Sequence, residues 1–103
     1  MAKRDLIRQA RNLMLRSLDR VYPSGLTIRL LEQVMCTVDQ NYGMDLMRKD
    51  IAYLLEKKYI EILRIDGNGT LADVRKDSMA VVKLTAAGLE ITQDLRVDPS
   101  LEI

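Results

Sequence analysis

The sequence predicts a mainly helical α+β domain in which three helices precede a β-hairpin and a short closing helix. Three observations carry that expectation. Apolar residues recur at helical spacing in three consecutive stretches before residue 58, a run of β-branched and aromatic residues begins at Tyr59, and a threonine-capped segment starts at Thr85. With 103 residues, 48% of them hydrophobic and 30% charged, the chain is sized for one domain, 1–103, built on one core.

The first helix is expected at about 3–21. Leu6, Ile7, Ala10, Leu13, Met14 and Val21 fall on one side, and Arg4, Arg8 and Arg11, continued by Leu15, form a separate row. Pro23, Ser24 and Gly25 end the helix. Thr27 is the expected N-cap of a second helix at about 27–41, with Leu30, Leu31, Val34, Val38 and Tyr42 as its apolar stripe and Gly43 as a left-handed C-cap. A third helix at about 45–57 turns Met47, Ile51, Leu54 and Leu55 inward. Only a few residues connect it to the second, as in a helix-turn-helix.

Residues 59–65 read as a strand and 79–84 as its return, with Asp66, Gly67, Asn68 and Gly69 supplying turn chemistry. The interval from Thr70 to Ser78 is too long for a tight hairpin and is expected to form an extended or partly helical tip. Thr85 then caps a short helix at about 86–93, followed by a tail at 94–103.

Three helices, a hairpin and a short helix follow one another in the order of the winged helix-turn-helix, and two motifs resemble that family. The run Ala52-Tyr53-Leu54-Leu55-Glu56-Lys57-Lys58-Tyr59-Ile60 resembles a recognition helix entering its wing, with Lys58 where many members carry glycine. That junction is expected to be strained or differently shaped. The run Val82-Lys83-Leu84-Thr85-Ala86-Ala87-Gly88-Leu89-Glu90 resembles the "Leu-Thr-x-x-Gly" signature that closes the wing in many bacterial regulators. Together with the tail Arg96-Val97-Asp98-Pro99-Ser100-Leu101, it is similar to small winged-helix proteins of Mu-like phages and prophages, often labelled ArsR-like. The similarity spans about Thr27 to the C-terminus, with weaker support over the first helix.

The resemblance implies a non-enzymatic transcriptional regulator that binds double-stranded DNA through its third helix and its wing. The outward face of that helix is expected to carry Asp45, Arg48, Lys49, Ala52, Tyr53 and Glu56, a mixed rather than basic set. Arg48, Lys49 and Tyr53 are its candidate contacts, with Arg64, Arg75 and Lys76 on the wing. The alternative is a winged-helix protein–protein interaction module, in phage assembly or as an adaptor, without DNA binding. Its interface would be the first helix through Arg4, Arg8, Arg11 and Leu15, and a homodimer could use the same surface.

Composition narrows the chemistry further. A net charge of +1 leaves attraction for nucleic acid to the distribution of charge rather than its sum. One cysteine, Cys36, and no histidine exclude an internal disulfide and a Ser-His-Asp or Cys-His catalytic set and leave almost no soft ligands for a metal, so only carboxylates and lysines remain as conceivable catalytic groups and no cofactor is expected. Cys36 lies opposite the apolar stripe of its helix and is expected to be partly accessible and inert. With no apolar run of membrane-spanning length and no signal-like N-terminus, a cytoplasmic location is expected.

Overall fold

The computed structural model describes the backbone of residues 3–76 and 78–97 and the side chains of 7–76 and 78–94. The elements run α1 (Lys3–Val21), β1 (Leu26–Thr27), α2 (Ile28–Cys36), α3 (Met44–Glu56), β2 (Ile60–Arg64), β3 (Gly67–Asn68), a 3-10 turn (Leu71–Asp73), β4 (Val81–Leu84) and α4 (Ala86–Val97). The fold is therefore α+β and mainly helical. None of the described helices is long and apolar enough to cross a membrane.

Period-two alternation builds the sheet. Ile60 and Ile62 of β2 and Val82 and Leu84 of β4 all point inward, and their registers pair Ile60 with Leu84 and Ile62 with Val82. The strands lie in the order β1-β4-β2-β3, all neighbours antiparallel. Outward on the same pair, Glu61 faces Lys83 at 3.8 Å. Against the inner face pack Met14, Leu15 and Leu18 of α1, Ile28, Leu31 and Met35 of α2, and Met47, Ile51 and Leu54 of α3, which form one continuous buried cluster with the strands. Each such side chain contributes about 1.5–3 kcal/mol by leaving water.

The buried face of α1 is wider than the expected stripe: Met14 lies in it and Ala10 and Leu13 pack against the core, while Leu15 and Leu18, outside that stripe, are buried as well. Arg11, Met14, Leu15 and Leu18 follow the i, i+3, i+4, i+7 spacing of a single stripe, and Met14, Leu15 and Leu18 have no solvent exposure at all. Ile7, expected inside, is on the rim, and Leu6 lies outside the described side chains. Because α1 is packed by α2, α3, α4 and β4 together, its buried sector is wider than the stripe an amphipathic surface helix needs.

α2 opens as expected, with the Leu30 amide donating to Thr27 Oγ1 at 3.2 Å. It closes early, at Cys36, where the Thr37 hydroxyl donates to the Val34 carbonyl at 2.6 Å. Val38, counted in the apolar stripe, is consequently off the helix and 73% exposed, and Leu30 is exposed too. Residues 37–43 form a longer connection than expected, folded by an Asp39 carboxylate that accepts from the Asn41 amide at 2.9 Å. Gly43 is not a left-handed C-cap: with φ −117° it is the extended N-cap of α3.

The junction after α3 holds a strained backbone position. Lys58 sits in the left-handed region at φ 62°, costly for a side chain with a Cβ. Its carbonyl accepts from the Thr85 hydroxyl at 2.6 Å, and Thr85 Oγ1 in turn accepts from the Gly88 amide at 3.1 Å, capping α4. This contact locks the end of α3 to the start of α4, which runs to Val97, past the expected end near residue 93. The expected tail beyond residue 97 lies outside the described residues.

Gly88 owes its place to that lock. A Cβ built on it falls 1.9 Å from the Tyr59 carbonyl oxygen and 2.9 Å from Leu84 Cδ2, and the first is backbone that cannot rotate away. Gly88→Ala is expected to destabilise the fold by about 1–3 kcal/mol, read as a lower midpoint in urea unfolding at unchanged slope.

Candidate functional site

The hairpin places its cations differently from the sequence reading. The reversal falls at Ile65 and Asp66, between Arg64 and its partner Gly67, whose φ of 137° suits glycine. Ile65 is therefore thrown out, 98% exposed, and the strand β3 turns the chain toward α3. The segment between β3 and β4 then folds onto α3 instead of projecting as a free tip. Val74 is fully buried, and Leu71 borders the outer side of α3 in a shallow concavity of ≈ 410 Å³ shared with Asp45, Arg48, Lys49 and Ala52.

Arg48, expected to face outward, is the strut that holds this strap. Its Nη1 donates to the Val74 carbonyl at 2.9 Å, and the side chain is half-buried. Turning the guanidinium outward would leave a carbonyl of a buried residue without its donor, a loss of about 1–3 kcal/mol. Arg64 is likewise engaged, its Nε 3.2 Å from Asp66 Oδ1 and its Nη1 3.2 Å from Asp73 Oδ1. Asp73 completes the arrangement by accepting the Thr70 amide at 2.7 Å on its other oxygen. These half-exposed ion pairs add little stability each, but they set where the arginine points.

Tyr53 is a further correction. Its ring packs against the core with the Arg11 guanidinium 3.7 Å above its centroid and Lys57 Nζ at 5.7 Å on the same ring. It does not stand on the open side of α3. The sequence-predicted contacts that remain exposed are Lys49, Arg64, Arg75 and Lys76, of which Arg64 is ion-paired as above. Lys49 and Lys76 make no ion pair among the described residues, whereas Arg75 has a partner. Lys76 lines a cleft of ≈ 650 Å³ with Asp45, Leu46, Glu32 and Cys36, beside the start of α3.

Of the row expected to form a partner surface on α1, Arg11 and Leu15 turn inward. Leu15 is fully buried, so it anchors nothing outside the fold. Arg11 Nε lies 3.2 Å from Asp50 Oδ1, the side chains 20% and 8% exposed, and Arg8 has a partner within the chain. The Arg4 side chain lies outside those described. Arg11 leaves water because α3 presents a carboxylate and a ring to receive it.

Asp50 is the residue the sequence reading missed. It stands within Met47, Asp50, Ile51 and Leu54, all buried on α3, and accepts the Tyr42 hydroxyl at 2.6 Å as well as Arg11. An acidic residue inside an apolar i, i+3, i+4, i+7 stripe was the available signal, and Arg11 in the matching stripe of α1 was its counterpart. The cluster joins α1, α3 and the connection before α3. Cys36 reinforces that connection, its thiol donating to the Tyr42 carbonyl at 3.1 Å from a half-buried position.

Burial first, and then the hydrogen bond to the Asp50 carboxylate and that carboxylate's charge, push the Tyr42 phenol far above its ordinary value of 10.0. Above pH about 10 the unfolded chain releases this proton while the folded chain keeps it. The stability Tyr42 contributes is therefore intact below that pH and falls by about 1.4 kcal/mol per pH unit above it. Tyr42→Phe is expected to cost about 1.5–3 kcal/mol at pH 7 and to flatten the alkaline decline relative to the parent. Parallel declines of the two proteins between pH 9 and 11 would remove Tyr42 as the cause.

Comparison with protein-family models, with curated proteins and with solved structures gives no match to this chain.

Proposed function

We propose that the chain is a non-enzymatic winged-helix domain that binds double-stranded DNA, in the role its resemblance gives it: a small phage- or prophage-type transcriptional regulator. The observation that carries this reading is the common face of α3 and the segment between the hairpin strands. Lys49 and Ala52 of the helix and Leu71 of the strap line one concavity, and Lys76 flanks it beside Asp45. A helix and a wing that share a side can meet a groove and its flanking phosphates together. The Lys58 junction and the Thr85 closure, at the positions where the family motifs lie, support the same reading.

Anisotropy titration of a mixed-sequence duplex at about 50 mM and about 200 mM salt tests it. Binding is expected at the lower salt and weaker at the higher, and Lys49→Glu with Lys76→Glu is expected to lower affinity at least about tenfold. No binding at the lower salt overturns the proposal.

A second reading, a protein-docking module without DNA binding, is favoured by one feature near the hairpin reversal. Ile65 and Met79, 98% and 75% exposed, share a concavity of ≈ 440 Å³ with Arg64, Arg75, Asp66 and Asp73. An apolar pair ringed by charges of both signs suits a protein surface better than a phosphate backbone.

A further inference from the structure

We infer that the domain, if it holds duplex DNA as proposed above, grips its phosphates and does not read its base sequence. The inference rests on that proposal and concerns what the α3 face has left to offer. Discrimination in the major groove is strongest from rigid paired contacts, the planar fork of an arginine to guanine and the amide of an asparagine or glutamine to adenine. α3, Met44–Glu56, contains no asparagine and no glutamine, and its one arginine is Arg48. Arg48 borders the face but holds the Val74 carbonyl through Nη1 at 2.9 Å from a half-buried position, so its planar fork is tied to the strap and not free for a bidentate pair with a base.

Tyr53 is removed from the groove side by its packing under Arg11. Lys49 remains, a flexible point charge suited to a phosphate or to one acceptor at a time. Asp45 and Glu56, also exposed on α3, repel the backbone that any base contact must pass. On the hairpin, Arg64 is engaged by the carboxylates of Asp66 and Asp73. Arg75 lines the separate concavity of Ile65 and Met79, and Lys76 flanks the α3 face, where phosphates or the minor groove lie, and the minor groove separates A·T from G·C and little else.

The ligand class is therefore duplex DNA of any sequence, and occupancy at a chosen site would have to come from a partner or from local concentration. The test is selection of the full chain against a randomised duplex pool at about 50 mM salt. The bound fraction is sequenced, and the affinities of an A·T-rich, a G·C-rich and a mixed duplex of equal length are measured in parallel. A bound fraction without an enriched motif, affinities within about tenfold of one another and a common loss in Lys49→Ala support the inference. An enriched motif, a spread above about tenfold or a loss in Lys49→Ala confined to one duplex overturns it and leaves DNA binding itself standing. Absence of binding to the whole pool overturns DNA binding, and the inference falls with it.

Discussion

Asp50→Ala is expected to lower the free energy of unfolding by about 3–5 kcal/mol, more than any surface substitution in this chain. The carboxylate is buried and serves two partners, Arg11 at 3.2 Å and the Tyr42 hydroxyl at 2.6 Å. Removing it strands a largely buried guanidinium and a phenol that burial has already cut off from water. The loss comes from those orphaned partners rather than from the attraction alone, so Asp50→Asn, which keeps an acceptor for Tyr42, is expected to cost less. Urea unfolding followed by circular dichroism reads both. If Asp50→Ala falls within about 1 kcal/mol of the parent, the cluster does not hold α1 to α3.

Leu15→Ala is expected to destabilise by about 2–5 kcal/mol, because the side chain has no exposure and its removal leaves a cavity between α1 and the rest of the core. For a domain of this size that corresponds to a fall in Tm of at least about 10 °C. The same substitution separates two views of α1. Were Leu15 an external anchor, Leu15→Ala would leave Tm within about 2 °C and change the association state seen by light scattering. The buried position requires the opposite outcome.

The element order was legible in the sequence because each element is signalled by its own neighbours. Thr27 and Thr85 cap helices through bonds spanning three residues, and the alternation Ile60, Ile62 and Val82, Leu84 needs nothing beyond the strand itself. Such signals survive without knowledge of what packs where. Boundaries suffered where two local signals competed: Thr37 ends α2 by turning its hydroxyl back on Val34, leaving Val38 off a stripe to which its spacing had assigned it. The hairpin reversal slipped by about one residue for a similar reason. Asp66, Gly67, Asn68 and Gly69 all tolerate turns, and pairing of Arg64 with Gly67 chose among them.

The candidate site was less legible, because a cation's role depends on what lies opposite it. Arg11 and Asp50 are 39 residues apart, and nothing near either one announces the other. Arg48 meets Val74 across 26 residues, through a strap whose path sequence spacing does not specify. Periodicity sorts residues by the side of a helix they occupy, and on that basis an arginine row reads as solvated. The assembled fold reverses the assignment when the facing helix brings an acceptor.

The sequence by itself determined the mainly helical α+β class, the order of helices and strands and the capping threonines, since these depend on φ/ψ preference and apolar spacing over a few residues. Only the tertiary structure decided that Arg11 and Leu15 of α1 face inward, that Arg48 and Arg64 hold the strap and hairpin, and that Lys49 and Lys76 are left to solvent. The physical reason is distance along the chain. A hydrogen bond or ion pair between remote segments costs nothing to write into a sequence as isolated charges, and it acquires direction only when packing brings donor and acceptor within about 3 Å.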